Sequence, residues 1–97
     1  MRTYKSEFPD FGELDVELPQ SFKDISWHND ACPCFEQVTA KEFTIRVYID
    51  YKDLIKRESS NSDYRFSVMA VYGKEEQNAG VMLSDDWNEI LEFIAQY

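Results

Sequence analysis

From Glu42 to Tyr51, EFTIRVYIDY, apolar and polar positions alternate without a break. Phe43, Ile45, Val47 and Ile49 fall on one face of an extended chain, and Glu42, Thr44, Arg46, Tyr48 and Asp50 on the other. Period-two alternation in β-branched and aromatic residues predicts a central strand. Tyr64 to Tyr72, YRFSVMAVY, predicts a second strand. There Phe66, Val68, Ala70 and Tyr72 face one way and Met69 and Val71 the other, so both faces are expected to be partly covered. At the C-terminus the period changes to that of a helix. Trp87, Ile90, Leu91 and Ile94 follow i, i+3, i+4, i+7 spacing, with Ser84 as N-cap and Asp85 and Asp86 in a first turn where the helix dipole favours carboxylates. Asp86, Glu89 and Glu92 step by three along its opposite face.

The weaker patterns fill in around these three. Met1 to Ser6 reads as a short lead, with Tyr4 available to pair with the sheet. Pro9 and Gly12 mark a turn within Glu7 to Leu18. Leu14, Val16 and Leu18 then alternate with Glu13, Asp15 and Glu17, which predicts a half-buried strand with carboxylates about 6.7 Å apart on its outer side. Phe22 and Ile25 suggest one turn of helix within Pro19 to Ser26, Trp27 to Pro33 a loop, and Cys34 to Val38 a short strand joined to the central one through a tight turn at Thr39 to Lys41. Lys52 to Asp63 is expected to be a mobile basic loop pinned by Leu54 and Ile55, Gly73 to Asn78 a turn, and Ala79 to Leu83 a last strand. The fold class is therefore α+β: one domain, residues 1–97, with an antiparallel sheet of four or five strands and the C-terminal helix packed on one face.

Composition changes this picture in two ways. Seven Phe, six Tyr and two Trp in 97 residues supply a core in spite of the high charge, so the chain is expected to fold. The net charge of −9 is unevenly spread: residues 1–40 carry −5, residues 41–74 carry +2, and residues 75–97 carry six acids and no base. Such a field repels nucleic acid and attracts basic surfaces. No apolar run approaches the roughly 18 residues of a membrane span, and MRTYKSEF does not look like a signal peptide, so a cytoplasmic protein without a membrane partner is expected.

Catalytic and metal chemistry find little support. His28, Asp30, Cys32 and Cys34 cluster, but a structural zinc site needs a second ligand pair and the chain has no further Cys or His. Two cysteines two residues apart would close a strained ring, so free thiols are expected. A Cys–His nucleophile lacks a third orienting residue, and three glycines provide no phosphate loop. No enzyme, no cofactor and no metal are expected. The acids carry the sharper reading. Each B-DNA strand presents a phosphate about every 3.4 Å of axis. Glu13, Asp15 and Glu17 from the strand, joined by Asp85, Asp86, Glu89 and Glu92 from the helix, would imitate such a row and occupy a protein surface that normally binds DNA. The competing reading is that acids only keep an aromatic-rich domain soluble, with partner binding through Tyr48 and Tyr51.

Small size, strongly negative balance, absent catalytic signature and an α+β build are similar to the anti-CRISPR proteins of phages and mobile elements, in particular the DNA-mimicking inhibitors of type I-F surveillance complexes. SWHNDACPCFE at 26–36 and SDDW at 84–87 also look like a group of short bacterial and phage proteins. The resemblance implies a partner, the Cas8f-Cas5f subunits that read the duplex beside the target, and the cytoplasm of a bacterial host. It assigns no contact residues, and the +2 middle segment departs from a uniformly acidic mimic.

Overall fold

A computed structural model describes residues 2–57 and 63–97. The two strongest alternations form the two central strands. The elements in chain order are α1 (Tyr4–Glu7), β1 (Lys23–Asp24), β2 (Cys34–Val38), β3 (Phe43–Ile49), a single 3₁₀ turn (Leu54–Lys56), β4 (Phe66–Tyr72), β5 (Gln77–Ser84) and α2 (Trp87–Ile94). All five strands pair antiparallel in sequence order, so the sheet is an unbroken meander. This is the expected α+β architecture, with the C-terminal helix on one face.

Register shows how the alternation is used. Phe35–Val47, Ile45–Ala70, Val47–Val68 and Ile49–Phe66 are cross-strand partners on one face, and all these side chains are buried. α2 covers that face with Ile90, Phe93 and Ile94. Gly80 on β5 lies directly beneath it: a Cβ there would meet the Tyr97 hydroxyl at 2.6 Å and the Phe93 ring at 3.1 Å, so the absence of a side chain sets how closely helix and sheet approach. The other face carries Glu36, Arg46 and Tyr48, with Val81 and Leu83 toward the β5 edge. Arg46 of β3 bridges β2 and the β4–β5 turn there, its guanidinium donating to Glu36 and to Glu76.

Several local expectations are corrected. Residues 13–18 keep the alternation, with Leu14, Val16 and Leu18 against the core and Glu13, Asp15 and Glu17 outward, but they pair with no strand. They lie as a strap, bending at Glu13 and Val16, over the core face already flanked by α2. Apolar anchoring at every second residue can be met by an irregular chain as well as by a strand, so periodicity alone could not separate the two. The lead contains the short helix α1, whose Tyr4 amide donates to Asp24 at 2.7 Å. The helical turn expected at Pro19 to Ser26 is instead β1, paired with β2 at Lys23–Glu36 and Asp24–Phe35. The N-cap of α2 is Asp86, which accepts from the Asn88 amide at 2.9 Å, while Ser84 ends β5 and accepts the Asp86 amide. Leu54 and Ile55 pin nothing, since Ile55 is 92% exposed. Within that expected mobile loop, residues 58–62 lie outside the described residues. In β4, Tyr72 is exposed although its parity is inward, and Val71 is buried. The register shift beside them, which leaves Ala79 of β5 without a partner, marks a bulge at this end.

Candidate binding face

The first turn of α2 brings the two halves of the chain together. Trp87 packs its ring on Phe66 at 5.0 Å and donates its indole N–H to the Glu17 carbonyl at 3.2 Å, a contact spanning 70 residues. Glu17 thus sits beside the start of the helix. Asp86, Glu89 and Glu92 are exposed on its outer face, and α2 has no basic residue in its last turn. Among the described residues no cation lies within salt-bridge distance of these four carboxylates.

The other three expected contact acids are placed differently. Asp15 is clamped by Arg65, whose two terminal nitrogens donate to its two oxygens at 2.7 and 2.6 Å, with Lys52 at 3.3 Å. These hydrogen bonds, Arg65 first, hold its carboxyl down to about 2. Asp85 accepts the Arg65 amide at 2.7 Å. Glu13 faces Lys5 at 3.3 Å. The structure therefore sets Glu17 beside Trp87 and Leu91 on one flank of α2, pairs Asp15 with the Arg65 guanidinium and ties Asp85 to the Arg65 main chain, walling a cleft that also holds Lys52, Arg57 and Asp63. Arg65 was not singled out from the sequence, and no spacing links it to a carboxylate 50 residues earlier.

The aromatic alternative fares unevenly. Tyr51 is only 8% exposed and donates its hydroxyl to Asp10 at 2.8 Å; burial and that carboxylate raise its pKa. It offers no docking surface. Tyr48 is half-buried beside Cys34, and burial pushes its hydroxyl up to about 12. Cys32 and Cys34 are free, buried thiols, and burial raises both, Cys34 to about 12, so neither is a ready nucleophile or ligand. His28 is turned away to a different partner, its Nδ1 lying 2.9 Å from Glu7, whose carboxyl this contact holds below its usual range. Among the described residues no group of three or more His, Cys, Asp or Glu is arranged to hold a metal, and no helix is long and apolar enough to cross a membrane.

In comparison with known proteins, no family model matches the chain, and no curated protein or solved structure does either.

Proposed function

We propose that this protein is a non-enzymatic inhibitor that occupies a basic, DNA-binding surface of another protein with the outer face of α2 and the adjoining Glu17. The observation that carries this reading is a set of four exposed carboxylates, Glu17, Asp86, Glu89 and Glu92, on or beside one element, none within salt-bridge distance of a cation among the described residues. A solvated acidic surface usually interleaves both signs, as this chain itself does around Arg65. Steps of three residues advance about 4.5 Å along a helix, the same order as the axial spacing of phosphates on one DNA strand. The resemblance to type I-F inhibitors makes the Cas8f-Cas5f subunits the first target to try.

The test is competition between this protein and duplex DNA for Cas8f-Cas5f. Glu89→Lys with Glu92→Lys is expected to abolish competition with the fold intact, since both side chains are exposed. Asp86 is a poorer choice for reversal because it caps the helix, a role worth about 1 kcal/mol. Lys41→Glu, in the β2–β3 turn, is the control and should leave competition unchanged. Binding should weaken steeply between about 50 and 200 mM salt. Salt-insensitive binding that survives the double reversal would reduce the acids to a solvated face.

A further inference from the structure

The free edge of the sheet carries an inference that does not depend on the acidic-face reading. β5 is the last strand of the meander, and among the described residues no strand covers its outer side. Which of its backbone groups are open follows from the register. The Gly73 amide bonds the Glu42 carbonyl at 3.1 Å and the Asp50 amide bonds the Arg65 carbonyl at 2.8 Å. Stepping by two between these pairs, Val71, Met69 and Ser67 direct their amides and carbonyls at β3, so Ala70, Val68 and Phe66 direct theirs at β5. Their partners there are Gly80, Met82 and Ser84. Val81 and Leu83 must then aim both N–H and C=O away from the sheet. Their side chains stand on the uncovered face, each 55% exposed.

The first half of this edge is partly closed by the chain itself, because the Tyr97 hydroxyl donates to the Ala79 carbonyl at 3.0 Å. Among the described residues nothing caps the second half in this way; it has no charged side chain and runs straight into Asp85 and Asp86. An edge strand with exposed aliphatic side chains and no charge of its own lacks the usual protection against strand addition.

We propose that Val81–Leu83 is a β-augmentation site for an extended segment of another protein. That segment has alternating β-branched residues and Lys or Arg at the end lying beside Asp85 and Asp86. Two outward residues offer four main-chain hydrogen bonds to an added strand, and Val81 and Leu83 supply the apolar contact. Charge decides against a second copy as occupant, because two chains of −9 repel as their edges meet, whereas a basic-ended strand is drawn in.

The probe is the capped peptide Lys-Arg-Val-Thr-Val-Thr-Val, whose N-terminal cations reach Asp85 and Asp86 when it adds antiparallel. Amide exchange followed by NMR should show at least tenfold added protection at Val81 and Leu83 and little change at Met82, already bonded to β4. Replacing Lys-Arg by Glu-Glu, or N-methylating alternate peptide residues, should remove the effect. So should Val81→Lys with Leu83→Lys, an exposed pair whose unchanged melting temperature would show that the fold survives. Absence of protection at both amides, equal binding of the acidic-ended peptide, or a dimer in sedimentation without peptide would each overturn the proposal.

Discussion

Single residues in this chain do work that their types would not suggest. Glu42 and Glu76 close the two hairpins that flank β3 and β4 with φ of 70° and 51°, the left-handed region where a Cβ is a burden. Glu76 is held there by Arg46, but Glu42 has no such bond among the described residues. Glu42→Gly is therefore expected to stabilise by about 0.5 to 1 kcal/mol, read from the urea midpoint. Asp15 works in the opposite sense. Its folded carboxyl titrates at about 2, below the usual 3.9 of an unfolded Asp, so its contribution is complete above about pH 5 and is lost as pH falls toward 2. Asp15→Asn should cost about 1 to 2 kcal/mol at pH 7, the lower part of the range for charged hydrogen bonds because the carboxylate is 30% exposed, and should flatten the acid limb of the stability profile. Tyr51 teaches a different point. The alternation from Phe43 to Ile49, carried one step further, already assigns Tyr51 to the buried side, so its loss as a docking residue was legible. Its partner Asp10 was not, because nothing local relates residues 41 apart.

At the scale of elements, the long patterns in β3, β4 and α2 were readable because each buries most of one face. The strap at 13–18 and β1 were misread for one physical reason. Whether an extended segment joins a ladder depends on which backbone lies beside it, a tertiary fact that side-chain period does not encode. The helix N-cap was misplaced by two residues because Ser84 and Asp86 are both good caps; the structure uses Asp86, with Ser84 bonding its amide. The close seat of α2 on β5 gives a sharp test. Gly80→Ala drives a methyl group against the Phe93 ring and the Tyr97 hydroxyl, and should destabilise by about 1 to 3 kcal/mol in thermal unfolding. Trp87→Ala removes a half-buried ring that ties strap to helix. A loss of about 3 kcal/mol is expected, the low end for aromatic truncations; an unchanged melting temperature would contradict the joint role assigned to this side chain.

Over the whole molecule, charge and burial divide by face and end. One side of the sheet is closed by α2 and the strap, while the other leaves Arg46 among its paired carboxylates and the β5 side chains in the open. The charge asymmetry could be counted from sequence, but which acids are paired could not, since Arg65 takes Asp15 while Glu89 and Glu92 have no cation within salt-bridge distance among the described residues.

The meander also sets a timetable. Every sheet pairing joins neighbours in sequence, so β1 to β5 can zip as successive hairpins at low loop-closure cost. The strap is expected to close last, because its fastenings span 50 residues at Asp15–Arg65 and 70 at Glu17–Trp87. Asp15→Asn and Trp87→Ala should then accelerate unfolding while leaving the refolding rate within about twofold of the parent, as expected for contacts absent from the transition state. Stopped-flow chevrons check this directly: a slowed refolding limb in either variant would mean that the strap helps to nucleate the sheet it covers.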